Sequence, residues 1–175
     1  MQVAVRDASP EDAAAIADVQ IRTWQVAYAH VFPGESLDAL SETHDHRSRF
    51  WRERIEEPRK RDHILVAGFG AEPSGFASLG GSRHDESLGE LYAIYVLPEA
   101  WGEGIGGALM ATALEHLRAD GFSEAMLWVL EDNPRARAFY ERSGWSLDDA
   151  VRDEVFLDTR VREVAYRITL AEPAS

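Results

Sequence analysis

Helical spacing of apolar residues dominates the first third of the chain. A short strand over 3–6 comes first, and Ser9 and Pro10 then suit the positions at which a helix begins. A second helical stretch over 36–57 ends before Pro58, and its Phe50-Trp51 pair indicates one buried stripe. The face of the first helix carries a residue every four positions: Ile16, Gln20, Trp24 and Tyr28.

The pattern changes at His63 to short apolar segments bounded by Gly, Pro, Asp or Ser, which predicts antiparallel strands. After them a helix is predicted over Gly104–Asp120, because apolar residues return there at helical spacing before Gly121. The order β, α, α, β, β, β, α, β, α, β, β predicts a mixed α+β (α/β) fold with helices packed on one sheet. The remaining segments are strands at 63–69, 75–80, 88–96 and 125–130, a helix at 133–143, and one or two strands within 155–170.

Composition places the chain among ordinary globular proteins. A length of 175 residues suits one domain over 1–175. Hydrophobic residues make up 45% and charged ones 28%, and no apolar run reaches the length of a membrane span. Met1–Asp12 lacks the basic start and apolar stretch of a signal peptide, and there are no cysteines for disulfides or thiolate chemistry. We therefore expect a cytoplasmic protein.

The formal net charge of −13 limits the partners. It repels phosphate backbones and anionic lipid, so neither nucleic acid nor a membrane surface is expected as a main partner. It favours cationic partners, although acidic surfaces also simply keep proteins soluble. The charge leaves the oligomeric state open, a homodimer included.

A glycine-rich turn, Trp101 to Gly107, joins the strand ending at Val96 to the next helix. Its glycines leave the backbone open to an anion, and the helix start adds free N–H groups and the positive end of its dipole. The turn therefore predicts a phosphate or pyrophosphate cradle, with tight strand-to-helix packing as the alternative explanation. The four glycines are Gly102, Gly104, Gly106 and Gly107.

The same turn satisfies the G-x-G-x-x-G pattern of dinucleotide-binding Rossmann units through Gly102, Gly104 and Gly107. In that case Glu131 or Asp132 would bind the ribose. However, the turn follows an antiparallel meander, and too few alternating β and α elements come after it to build a doubly wound sheet. A dinucleotide-binding protein remains a minor alternative.

Two segments carry a more specific resemblance. ELYAIYVLP at 90–98 leads into WGEGIGGALM at 101–110, and LEDNPRARAFYERSGW follows at 130–145. They resemble the cofactor motif and the Asn-…-Phe-Tyr-…-Gly-(Phe or Trp) motif of the GNAT superfamily of N-acetyltransferases. Trp101 is a departure, since the family usually has Arg or Gln there, and we expect backbone amides to compensate.

The resemblance implies the acyl-CoA N-acyltransferase fold, with a mostly antiparallel sheet splayed at strand 4 and helices on both faces. It also implies an enzyme that transfers an acetyl group directly from acetyl-CoA to a primary amine. The implied cofactor-binding residues lie on the strand, the turn and the following helix: Ile94, Tyr95, Val96, Gly102, Glu103, Gly104, Ile105, Gly106, Gly107, Asn133, Ala136 and Phe139. No metal site is implied.

Two catalytic residues are expected from the resemblance and from the chemistry of the transfer. Tyr140 matches the tyrosine that protonates the coenzyme A thiolate, and Glu90 is the candidate base that removes a proton from the amine. Glu90 lies four residues before Ile94 and is expected on the same strand face. His84 and Asp85 are alternative bases.

Other interpretations stay open. The acceptor is a small molecule or a peptide, with cationic small molecules favoured on charge alone. A non-catalytic acyl-CoA-binding or sensory module is the second functional hypothesis. His44 and His46 lack a third metal ligand at an obvious spacing. Weaker candidates for the acceptor site are the aromatic residues of the first two helices: Trp24, Tyr28, Phe50 and Trp51.

Overall fold

The computed structural model describes residues 2–170. Seven strands and five α-helices alternate in nearly the predicted order, together with three short 3-10 turns. The strands are β1 Ala4–Asp7, β2 His63–Gly68, β3 Gly75–Gly81, β4 Gly89–Val96, β5 Glu124–Leu130, β6 Ser146–Phe156 and β7 Thr159–Thr169. The helices are α1 Ala13–Ala27, α2 Gly34–Ala39, α3 His44–Glu56, α4 Ile105–Ala119 and α5 Pro134–Arg142.

All seven strands form one sheet in the order β1-β2-β3-β4-β5-β7-β6. Every neighbouring pair is antiparallel except β4 and β5, which are parallel. These two strands are paired only at Gly89 with Ala125 and at Glu90 with Met126, and they separate beyond those residues. The prediction of a mostly antiparallel sheet splayed at its fourth strand is therefore confirmed.

Helices cover both faces of the sheet because neighbouring residues along a strand point to opposite sides. Leu65 belongs to the core on one face, in which Leu109 of α4 is fully buried. The adjacent Val66 belongs to the core on the other face, with Ile16 of α1 and Trp51 of α3. Among residues 2–170, no helix is long and apolar enough to cross a membrane.

The second predicted helix is broken into two. Gly34–Ala39 and His44–Glu56 are separated by a 3-10 turn at Leu40–Thr43, where the Thr43 hydroxyl donates to the Leu40 carbonyl at 2.6 Å. Leu37 and Leu40 pack against the end of α1, whereas Trp51 packs against Phe76 of the sheet. A single straight helix does not reach both clusters.

The length of β6 was the main error of the sequence prediction, which began the final strands at Val155. β6 starts at Ser146 and forms a hairpin with β7. It is an edge strand whose side chains are mostly exposed, and it carries acidic residues at 148, 149, 153 and 154. Charged residues are common on exposed edge strands, and they hide the apolar alternation that identifies a strand in a sequence.

Candidate active site

A cavity of about 980 Å³ lies where β4 and β5 separate. β4 forms one side of it, and the turn 101–107 with the start of α4 closes one end. The first helix and α5 supply further parts of the wall, through Trp24 on α1, Tyr28 just after it, and Tyr140 on α5. The chain therefore brings its two motif segments to one cavity, although residues 111–129 lie between them in sequence.

The end of β4 contributes Ile94, Tyr95 and Val96 to the lining of this cavity. Past Glu90 this strand has no β5 partner, so its backbone groups on that side are free to bind a ligand. The Val96 carbonyl is different, because it accepts from the Thr23 hydroxyl at 3.2 Å and from the Trp101 indole N–H at 2.8 Å. That carbonyl is already engaged by the protein.

A bulge in β4 changes which side chains share a face. The pairing with β3 shifts between Ala93 and Leu91, so Tyr92 is the extra residue. Leu91 and Ile94 both pack on the α4 side, whereas Ala93 and Tyr95 pack on the side of α1 and α3. Glu90, next to Leu91, therefore lies on the face opposite Ile94. The expectation that Glu90 and Ile94 share a face was wrong, because a strict period of two ignores the bulge.

The glycine turn has the backbone conformation of an anion cradle. Gly102 and Gly104 have φ angles of +84° and +89°, a region that residues with a Cβ rarely adopt. A Cβ added at Gly107 would meet no atom within 4 Å. The α4 helix begins at Ile105, whose buried side chain anchors its first turn. The first N–H groups of a helix have no acceptor within the helix, so those of α4 are free. The turn therefore presents open backbone donors beside the cavity.

The start of α5 is fixed by Asn133. Its side-chain oxygen accepts from the Ala136 N–H at 3.2 Å, and its side-chain nitrogen donates to the Tyr28 hydroxyl at 3.3 Å. Asn133 is buried, and it lines the cavity together with Ala136 and Phe139. The helix cap is thus present, and the amide also holds Tyr28, the residue that follows α1.

Tyr140 lies one residue after Phe139 and is buried against Trp145 and Tyr166 at ring centroid distances of 6.4 and 6.2 Å. Burial raises its pKa far above the ordinary value, and the nearby Tyr95 adds to the shift. The phenol is therefore fully protonated at neutral pH. Tyr140 therefore brings a protonated hydroxyl group to the lining of the cavity.

Glu90 sits half-buried on the cavity wall, where β4 and β5 begin to part. Burial raises its pKa, while the Ser82 side chain and the charges of Arg152, Arg83 and His84 oppose that shift. A raised pKa moves a carboxyl group toward the range in which it exchanges protons near neutral pH. Geometry and electrostatics both suit a base here.

The two alternative bases are placed differently. His84 lines the cavity, but Asp85 does not. The Asp85 carboxylate accepts hydrogen bonds from the hydroxyl and the N–H of Ser87, which lower its pKa. Asp85 therefore organises its own loop, which leaves His84 as the alternative that reaches the cavity.

The remaining predicted residues divide between the cavity lining and other parts of the surface. Glu103 is exposed and does not line the cavity, because the turn directs it to solvent. His44 instead contacts the Ala14 carbonyl at 3.1 Å. All four weaker aromatic candidates of the first helices do line it: Trp24, Tyr28, Phe50 and Trp51.

The charges on the cavity wall are mainly positive, unlike those of the chain as a whole. Within residues 2–170 the lining contains five arginines, one histidine and two glutamates. Two of the arginines are neutralised, because Arg54 pairs with Asp62 and Arg152 pairs with Glu163, both at 2.8 Å. The cavity therefore suits an anionic ligand better than the net charge of −13 suggests.

Sequence reasoning missed the part of the wall that the last strands supply. Arg152, Phe156 and Glu163 line the cavity from β6 and β7, and Trp128 does so from β5. The sequence held one indication of this part of the site, because Glu163 is a carboxylate at the start of an apolar stretch. In the fold that carboxylate is buried. The pairing that brings these strands to the cavity has no local signal.

The family of the chain is shown by comparison with known proteins. A model of the acetyltransferase (GNAT) family matches residues 20–145, which include β4, the glycine turn and α5. The chain therefore belongs to the GNAT acetyltransferase family. It is an N-acetyltransferase that uses acetyl-CoA as donor, as predicted.

Individual relatives agree with this class. An uncharacterized N-acetyltransferase, YuaI, of Bacillus subtilis (strain 168) is 35% identical over 128 residues, which cover 69% of this chain and 68% of that protein. A mycothiol acetyltransferase of Actinosynnema mirum is 48% identical over only 42 residues, 24% of this chain and 14% of that protein.

Solved structures share the fold. The PaiA N-acetyltransferase from Thermoplasma acidophilum, solved in complex with coenzyme A, has a TM-score of 0.79 at 20% identity. The match covers 97% of this chain and 99% of that one. At this identity the likeness concerns the fold alone. Together with the antiparallel pairing of β1, β2, β3 and β4, it excludes the doubly wound sheet of the dinucleotide-binding alternative.

Proposed function

We propose that this enzyme transfers the acetyl group of acetyl-CoA directly to a primary amine of a small molecule or peptide, with no covalent enzyme intermediate. The observation that carries the proposal is the cavity between β4 and β5, which joins the glycine turn to Tyr140 and Glu90. An anion cradle, a protonated phenol and a half-buried carboxyl group around one cavity are the groups that such a transfer needs.

The donor is held by backbone groups and by charge. The free N–H groups at the start of α4 and of the turn suit the pyrophosphate of coenzyme A. The unpaired side of β4 suits the pantetheine arm, with the Ile94 N–H as the candidate donor to the thioester carbonyl. The positive lining supports a ligand that carries several phosphate charges.

Tyr140 is the proposed acid. When the amine attacks the thioester, the carbon–sulfur bond breaks and the thiolate needs a proton. An ordinary thiol has a pKa of about 8.5, well below that of this buried phenol. Tyr140 therefore stabilises the thiolate chiefly as a hydrogen-bond donor, and the proton that the amine loses completes the thiol.

Glu90 is the proposed base. An alkylammonium ion has a pKa of about 10, so the amine must lose a proton before it attacks. The β4 bulge places Glu90 on the face of α1 and α3, away from the face of Ile94 and α4. This separation supports a base on the acceptor side, reaching the amine directly or through one water.

The acceptor half of the cavity is rich in aromatic rings, with Trp24, Tyr28, Tyr95, Trp128 and Phe156 on its wall. Such rings pack against a carbon skeleton and attract a single ammonium group. The acidic surface still draws cations toward the molecule, but the lining arginines disfavour a second positive charge inside. We therefore propose an acceptor with one primary amine on an apolar body, ahead of the polyamines that net charge alone favours.

The test is a coenzyme A release assay with acetyl-CoA and a panel of monoamines, polyamines and peptide N-termini. Tyr140→Phe should lower kcat by roughly a hundredfold while leaving acetyl-CoA affinity nearly unchanged. Tyr166→Phe is the matched control, because it removes a phenol hydroxyl that lies outside the cavity.

Unchanged turnover in Tyr140→Phe would remove the acid role. Acetyl-CoA binding without release for any amine would instead favour the non-catalytic acyl-CoA-binding module.

A further inference from the structure

Trp101 stands at the start of the glycine turn, where the family motif usually carries Arg or Gln. Its indole N–H donates to the Val96 carbonyl at 2.8 Å, and the ring is half-buried on the cavity wall. The side chain therefore has a fixed position beside the cradle. It offers a flat aromatic face but no charge.

Arg135 occupies that face. It is the second residue of α5, and its guanidinium carbon lies 3.9 Å from the centroid of the Trp101 ring. This is the shortest of the six cation–ring contacts in the part of the chain that is described. Arginine stacks on aromatic rings while keeping its N–H groups free at the edge. Stacking thus orients the guanidinium without using its hydrogen bonds.

Arg135 is also free of competing carboxylates. No ion pair within residues 2–170 includes it, whereas Arg22 and Arg152 are both paired with glutamates. It is exposed, yet it lines the same cavity as Trp101 and the turn glycines. An arginine held in place, unpaired and beside free backbone N–H groups is suited to bind phosphate oxygens.

We propose that Arg135, held on the ring of Trp101, supplies the cation that the turn lacks and binds phosphate oxygens of coenzyme A. The inference rests on the proposed function, since it assigns a residue to the donor site. Coenzyme A offers such oxygens in its pyrophosphate and in its ribose 3′-phosphate, and the two sources are separated by experiment.

The experiment measures the Kd of coenzyme A and of 3′-dephospho-coenzyme A by isothermal titration calorimetry at two salt concentrations. Arg135→Gln should weaken coenzyme A binding about tenfold, the effect of losing one exposed charge-assisted contact, and should flatten its salt dependence. Arg49→Gln is the matched control, because Arg49 is exposed on α3 and does not line the cavity.

The outcomes separate cleanly. A loss for coenzyme A alone supports contact with the 3′-phosphate, and an equal loss for both ligands supports contact with the pyrophosphate. If Arg135→Gln binds both ligands within twofold of the unchanged protein, the proposal is overturned while the proposed function stands. Failure of the unchanged protein to bind coenzyme A would overturn both.

A double-mutant cycle tests the part played by the ring. Without the Trp101 ring, Arg135 should contribute little to coenzyme A binding. Trp101→Ala and Arg135→Gln together should therefore weaken binding by much less than the product of their single effects. Trp101→Phe keeps a ring but loses the N–H donor, and should retain part of the coupling. Fully independent effects of the two substitutions would overturn the claim that Trp101 positions Arg135.

Discussion

Replacing Gly107 with alanine should separate the stability of the enzyme from its ability to bind the donor. Gly107 is the third residue of α4, its φ is not positive, and an added Cβ meets no atom within 4 Å. Alanine there stabilises the helix by up to about 0.5–1 kcal/mol, since glycine costs conformational entropy. Gly107 also lines the cavity, so the proposed cradle places this methyl group beside the bound anion.

The expected loss of binding is much larger than this gain. A hydrogen bond to a charged group contributes about 1.5–3 kcal/mol, so keeping a phosphate away from one such N–H should weaken binding roughly 10- to 100-fold. The measurements are the midpoint of urea unfolding and the Kd of coenzyme A from calorimetry. Gly107→Ala should unfold at equal or higher urea and bind coenzyme A more weakly.

Gly34→Ala is the matched control for this variant. Gly34 also lies in the first turn of a helix, an added Cβ there meets no atom within 4 Å, and it does not line the cavity. It should leave the Kd unchanged. Coenzyme A affinity within twofold of the unchanged protein in Gly107→Ala would refute a cradle formed by the start of α4.

Two further predictions concern pH. Burial raises the pKa of Glu90, so its carboxyl group holds a proton more tightly in the folded state than in the unfolded chain. The folded state therefore loses stability as the pH rises from the ordinary glutamate pKa to the raised one. Glu90→Gln should therefore raise the Tm at pH 7. It should also lower kcat/KM at least tenfold and remove the acid limb of the kcat/KM–pH profile, and an unchanged acid limb would exclude Glu90 as the base. The pH dependence of stability has the opposite sign for Asp12, because its hydrogen bonds with Arg6 and the Ser9 N–H lower its pKa. The stability that these bonds contribute is present above the ordinary aspartate pKa and is lost as the pH falls through the lowered one. Asp12→Asn should cost about 1 kcal/mol at pH 7 by urea unfolding. The cost should shrink as the pH falls from the ordinary aspartate pKa through the lowered one, and a cost that does not change with pH would contradict the ion pair.

Features with local signals could be predicted from the sequence. The glycine turn, α4 and α5 have residues of special conformation at their ends, such as Gly104 with its positive φ and Asn133 as a cap. The wall that these elements form was therefore anticipated. The bulge at Tyr92 could not be, because it depends on how β4 pairs with β3 rather than on its own residues. The placement of Glu90 changed with it.

The missed half of the site has a similar cause. Arg152 and Glu163 meet across the β6–β7 hairpin, and that hairpin reaches the cavity only because β7 inserts between β5 and β6. Strand order over such distances leaves no pattern in a single sequence. The stack of Arg135 on Trp101 likewise joins two motifs across space, where each alone reads as an ordinary surface residue.

Amide hydrogen exchange, followed by mass spectrometry with and without acetyl-CoA, tests the central claim most directly. If the donor binds between β4 and the glycine turn, acetyl-CoA should slow exchange in peptides that cover 91–97 and 101–109, and NAD should not. The first of these segments is paired with β3 but lacks a β5 partner, so the protection that acetyl-CoA adds there would come from N–H groups on the unpaired side. Protection confined to other segments, or the same protection by NAD, would contradict an acetyl-CoA site at this turn.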